Sequence, residues 1–114
     1  MNYYSRAFKD TDIRHVIFGH IGENHLHVNI MPSSEREAAL AKTICLDLVR
    51  KGVALGGTVS AEHGIGKTRH NYLEEMYGAR GILEMARVKK ALDPNRILGL
   101  GNIFPKDILS AASA

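Results

Sequence analysis

Between Phe18 and Asn29 the chain reads Phe-Gly-His-Ile-Gly-Glu-Asn-His-Leu-His-Val-Asn, with apolar residues and histidines alternating on both sides of Gly22-Glu23-Asn24. A short loop containing Gly and Asn between two alternating segments predicts a β-hairpin. On its second strand the period of two puts Leu26, Val28 and Ile30 on one face and His25, His27 and Asn29 on the other. The first face is candidate core. The pattern then changes period. Pro32-Ser33-Ser34 followed by Glu37 predicts a helix start, with Ser34 as N-cap and Glu37 reaching back to it. Ala41, Ile44, Cys45, Leu48 and Val49 fall on one helical face, and Gly52 is expected to end the helix.

Alternation returns in Gly56-Gly57-Thr58-Val59-Ser60-Ala61-Glu62-His63-Gly64-Ile65-Gly66-Lys67, where Thr58, Ser60 and Glu62 would share one face of a short strand and Val59 and Ala61 the other. Leu73, Met76 and Tyr77 predict a short helix broken near Gly78 to Gly81. A second helical run from Ile82 to Leu92 must stop at Asp93-Pro94. Met76 and Met85 are core fillers. Met1 to Arg14, with Tyr3, Tyr4 and Phe8, carries a weak helical pattern, Gly99 to Phe104 a loop or extended tail, and residues 110–114 are expected to fray.

Strand, strand, helix, strand, helix with one polar sheet face predicts an α+β fold: a ferredoxin-like antiparallel sheet with helices on one face, lacking its N-terminal strand and helix. At 114 residues the chain builds one modest core, so a single domain over 1–114 is expected. An uncovered sheet edge in such a chain favours a homodimer or strand pairing with a neighbour.

Composition narrows the partners. Net charge is +3, yet no Lys/Arg stripe with interleaved aromatics stands out, which argues against nucleic acid. The single Cys45 excludes an internal disulfide framework, and its place on the apolar stripe predicts a buried thiol rather than a nucleophile. No apolar run is long enough to span a bilayer and the N-terminus lacks a signal-peptide layout, so a cytoplasmic protein is expected, with membrane association left to a partner.

The candidate chemistry lies on the polar faces. A solvated strand face usually carries Lys, Thr or Glu, whereas this one carries two imidazoles and a carboxamide. His20 ends the first strand and His27 is expected across the hairpin from it, where two neutral imidazoles could share one ion. Hydrogen-bonded structural histidines fit the same pattern. Glu62 adds a carboxylate, His63 an acid/base group, and the glycines a tight backbone turn beside a ligand.

Taken together, Gly19-His20-Ile21-Gly22, Leu26-His27-Val28-Asn29, Gly57-Thr58, Glu62-His63-Gly64-Ile65-Gly66, Leu92-Asp93-Pro94 and Ile97-Leu98 resemble a known family. This is the C-terminal substrate domain of FAD-linked oxidases of the vanillyl-alcohol-oxidase type, in the branch of D-lactate dehydrogenase, the glycolate oxidase flavin subunit and D-2-hydroxyglutarate dehydrogenase. The resemblance runs from about Val16 to Phe104. It implies a divalent metal on His20, His27 and Glu62, with His63 as base and Asn29 hydrogen-bonded to substrate; two histidines and one carboxylate suit Zn, Mn, Fe or Co. It further implies oxidation of a small D-2-hydroxy acid with hydride transfer to FAD, the FAD-binding domain being absent from this chain. On that view the chain is the C-terminal portion of a longer flavoenzyme, whose relatives pass electrons to quinones or iron–sulfur subunits.

Three features depart from the family pattern. Many members have Asp-Gly-Asn where this chain has Glu23-Asn24-His25, which adds an imidazole near the metal site. Gly99-Leu100-Gly101-Asn102 replaces the usual Asn-Pro-Gly-Lys. Lys67 and Arg69 stand where basic residues are common, so that either could touch a substrate carboxylate, with Lys67 taken as the substrate-binding candidate; solvated lid charge is the competing reading of both. Two other readings compete. Ala61 to Thr68 has superficial likeness to a P-loop, but position 61 is alanine and no second acidic strand follows. His25-Leu26-His27-Val28-Asn29 resembles a histidine-triad hydrolase motif, or a metal-binding module without redox chemistry, with Asn29 where the third histidine would stand.

Overall fold

The structure is a computed structural model and describes residues 2–112. They form two units, Met1–Gly52 and Val53–Ala114. The class is α+β, and the described residues contain two strands, paired antiparallel.

In the first unit a six-residue helix, α1 (Asn2–Ala7), leads into the predicted hairpin of β1 (Arg14–His20) and β2 (His25–Met31). The register runs from Arg14 opposite Met31 to His20 opposite His25. One side of the hairpin is the expected core face. Val28 and Ile30 pack there against Phe8, Ile13, Ile44 and Leu48, with Tyr4 and Ala7 at the margin. Phe8 stacks on His15 with ring centres 3.9 Å apart, and His15 Nδ1 lies 2.9 Å from the Ile13 carbonyl oxygen. An imidazole thus contributes to this small core as a flat ring with its polar atom satisfied.

Helix α2 (Glu35–Ala54) supplies Ala41, Ile44 and Leu48, the predicted stripe, to the buried side. Cys45 is half-buried rather than enclosed, and is a free thiol. The N-terminus is capped as the sequence implied, with one shift of position. The Glu37 N–H donates to Ser34 Oγ at 3.2 Å, while the Glu37 carboxylate accepts from the Ser33 N–H at 2.6 Å and the Ser33 hydroxyl at 2.8 Å. The two bonds from Ser33 hold the Glu37 carboxyl below its ordinary range. The expected stop at Gly52 does not occur. A lone glycine inside a helix costs only about 1 kcal/mol, and α2 runs through it to Ala54. The left-handed residue that follows the helix is Gly56 (φ +78°), whose N–H donates to the Val53 carbonyl at 2.9 Å.

The second unit begins with a long loop where a third strand was expected. Residues 58–62 form no strand: the Thr58 hydroxyl donates to the Ser60 carbonyl at 2.9 Å and accepts from the Ser60 N–H at 3.3 Å. That local turn occupies backbone groups a ladder would need, and β1 and β2 pair only with each other. Helix α3 (His70–Leu92) is interrupted as predicted, at Gly78 (φ 67°, ψ 168°), a conformation glycine reaches without a Cβ clash. Ile65, Leu73, Ile82, Ala86, Phe104, Leu109 and Ala112 form the core, with Val59 and Met85 packed against it. Met76 is half-buried. The expectation that the end frays is corrected over residues 110–112. Helix α4 (Lys106–Ala111) forms because Leu109 and Ala112, three residues apart, both reach this core, while Ser113 and Ala114 lie outside the described residues.

Past α3, the predicted Asp93-Pro94 stop is built around a buried carboxylate. Asp93 accepts from Lys89 Nζ at 2.5 Å, the Ile97 N–H at 3.1 Å and the Leu98 N–H at 3.0 Å. The Lys89 bond, followed by those two backbone donors, holds its carboxyl below the usual aspartate range against the opposing effect of burial. No helix among the described residues is long and apolar enough to cross a membrane.

Two outcomes follow for stability. Ser34→Ala should destabilise the first unit by about 1 kcal/mol, read as a lower denaturation midpoint with unchanged slope. Asp93 has a depressed folded pKa, so its contribution is complete above the unfolded value of about 3.9 and is lost as pH falls through that value and below it. Thermal unfolding of Asp93→Asn should therefore be well below that of the unaltered chain at pH 6, with the gap closing toward pH 3.

Candidate functional site

The hairpin places its histidines by register. Cross-strand partners point to the same face, so His20 and His25, which are directly opposed, share a face with His27 and its partner Phe18, and with Asn29 and its partner Val16. The expectation that His27 sits across from His20 is corrected: His25 does, and His27 lies on the diagonal. The diagonal is still short. Ring centres are 5.7 Å apart for His20 and His27, 5.5 Å for His20 and His25, and 4.4 Å for His25 and His27. Each ring offers a nitrogen, and these atoms lie within 4.8 Å of one another.

Local chemistry explains why the strand ends hold this arrangement. A 3-10 turn, Ile21–Glu23, closes on Asn24 in the left-handed region (φ 52°, ψ 29°), which asparagine tolerates better than most residues. At Gly19 a Cβ would stand 2.1 Å from the His25 carbonyl oxygen, a contact with backbone that cannot yield. Glycine there permits the close approach of the strands next to His20. Phe18 stacks on His27 with centres 5.0 Å apart and planes 20° from parallel. His20 is exposed, whereas His25 and His27 are half-buried. Phe18 is a positioning group that the alternation did not single out, since an aromatic on the polar face reads as ordinary strand surface.

Glu62 and His63 lie in the loop that opens the second unit. His63 Nε2 is 3.1 Å from Glu62 Oε1. A carboxylate only accepts, so the Nε2–H of His63 is the donor. Both side chains are more than half exposed. The backbone around them is anchored nonetheless: Ile65 is in the core, Gly64 and Gly66 take positive φ, and the Ile103 N–H donates to the Gly66 carbonyl at 2.8 Å. His70 adds a clasp that the sequence did not reveal. Its Nε2 lies 3.2 Å from the Gly66 carbonyl and 3.1 Å from the Gly101 carbonyl, joining two glycine loops distant in the sequence. Lys67 is exposed in the turn before α3, and Asn29 is exposed on β2.

The sequence-predicted residues therefore gather in two groups. His20 and His27 come together on the hairpin with His25 and, two residues along the same face, Asn29. Glu62 and His63 pair on the loop, four residues before Lys67 in the case of His63. The hairpin group can hold a divalent cation through imidazole nitrogens, and the loop pair can move a proton at a carboxylate-oriented histidine.

Residues 1–103 match the family described as FAD linked oxidases, C-terminal domain. A mitochondrial D-lactate dehydrogenase (cytochrome) of Arabidopsis thaliana is 33% identical over 109 residues, 91% of this chain and 19% of that protein. Glycolate oxidase subunit GlcD of Bacillus subtilis is 35% identical over 98 residues, 84% of this chain and 21% of its own length. A D-2-hydroxyglutarate dehydrogenase of Xanthomonas citri pv. viticola is 37% identical over 103 residues, covering 86% and 21%. The chain thus spans about a fifth of the length of these relatives.

Replacing Gly19 by Ala should open the closed end of the hairpin. Cross-strand NOEs between residues 18–20 and 25–27 should weaken or vanish, while signals of the α3 core (Ile82, Ala86) stay in place.

Proposed function

The chain belongs to the family of FAD linked oxidases, C-terminal domain, and on that premise we propose that it is the substrate-binding part of a flavin-dependent oxidoreductase acting on a small D-2-hydroxy acid. The observation that carries this reading is the histidine face of the hairpin, whose ring nitrogens lie within 4.8 Å of one another. Neutral imidazoles suit borderline cations such as Zn, Mn, Fe or Co. The relatives are named for lactate, glycolate and 2-hydroxyglutarate. These molecules share one recognisable group, a hydroxyl on the carbon next to a carboxylate.

When bound, a divalent cation supplies Lewis acidity toward that hydroxyl and carboxylate, and FAD, held by a domain outside this chain, supplies a two-electron acceptor. His20 and His27 would hold the cation from the hairpin, and the family resemblance implies Glu62 as a carboxylate ligand as well. His63, oriented by its bond to Glu62, would take the substrate hydroxyl proton. The Asn29 amide donates a hydrogen bond to the substrate, and the Lys67 ammonium pairs with its carboxylate. No residue of this chain is assigned to the flavin.

The intact flavoenzyme carrying this chain should reduce an artificial dye with D-lactate, glycolate or D-2-hydroxyglutarate. His63→Ala should lower kcat by about 10²–10⁴-fold with metal content unchanged. Failure to oxidise any 2-hydroxy acid, together with hydrolysis of a nucleoside phosphoramidate that His27→Ala abolishes, would replace this reading with that of a histidine-triad-like hydrolase.

A further inference from the structure

We propose that His25 is itself a metal ligand, so that the hairpin alone presents a three-imidazole site for a zinc-class cation. This rests on the metal-binding part of the function proposed above and adds to it a donor outside the predicted set of His20, His27 and Glu62.

The geometry singles out His25. Its ring centre is 5.5 Å from that of His20 and 4.4 Å from that of His27, so it stands nearer to each of them than the 5.7 Å that separates the two. Direct pairing with His20 fixes it on the shared face, and the period of two along β2 fixes His27 beside it. Neutral imidazole nitrogens are ordinary ligands of a zinc-class cation. With Zn–N bonds of 2.0–2.1 Å in tetrahedral arrangement, ligand nitrogens lie roughly 3.3 Å apart. The nitrogens of His20, His25 and His27 already lie within 4.8 Å of one another. The close approach at Gly19 and the left-handed Asn24 hold that backbone before any ion arrives.

The test is competitive titration of Zn(II) against a chromophoric chelator on the full 114-residue chain, with circular dichroism as a check on folding. Alongside it, long-range ¹H–¹⁵N spectra report each imidazole. Zn(II) should shift the ring nitrogens of His20, His25 and His27. His25→Asn should weaken Zn(II) at least about 100-fold, beyond the 10–100-fold typical of losing an outer partner of a ligand. Loss of binding in His27→Asn but not in His25→Asn, or ring shifts confined to His20 and His27, would overturn the inference and leave the proposed function standing. Unchanged Zn(II) affinity in His20→Asn, His25→Asn and His27→Asn alike would overturn the metal reading itself. Should His25→Asn lose its fold, the ring shifts of the unaltered chain decide the matter.

Discussion

The register of one antiparallel pair governs the first unit. Because His20 is locked opposite His25, every residue of β1 and β2 is assigned a side: Val28 and Ile30 to the core, and His20, His25 and His27 to a single outer face. A slip of one residue would exchange the two sets and bury imidazoles where Val28 and Ile30 now pack. The apolar contacts of Ile13, Ile44 and Leu48 with that inner face therefore hold the outer one, and the packing of a small core is what aligns candidate ligands.

The second unit solves a different problem. Its chemistry-bearing residues sit on a loop with little regular structure, so the loop must be fastened by other means. Ile65 inserts into the core, the Gly66 carbonyl accepts from Ile103, and His70 clasps the Gly66 and Gly101 carbonyls. Positive φ at Gly64 and Gly66 lets the backbone make these contacts around an exposed Glu62-His63 pair. An exposed pair on an anchored loop is accessible to a ligand without being loose, which general acid–base chemistry requires.

Much of the fold was legible because it rests on local rules. Alternation announced the hairpin, Ser34 and Glu37 announced the start of α2, Gly78 the break in α3, and Asp93-Pro94 its end. The failures also have local causes. Gly52 was given the role that falls to Gly56, since the spacing cannot say which of two glycines takes the left-handed conformation. The alternation of residues 58–62 matches a strand in period, but a strand exists only with a partner, and Thr58 satisfies Ser60 instead. Ala112 reads as part of a fraying tail because the core that buries it includes Ile82 and Ala86, which are distant in the sequence.

For the site, the sequence by itself determined the inventory and the faces: imidazoles at 20, 25 and 27, an adjacent carboxylate and imidazole at 62 and 63, and ordered motifs that carried the family resemblance. Side-chain period and residue type suffice for that, since both are properties of short segments. Only the tertiary structure decided that His25 and not His27 opposes His20, that Phe18 stacks on His27, and that His70 ties the glycine loops together. Those facts depend on hairpin register and on contacts between distant residues, which are set by how the whole chain packs.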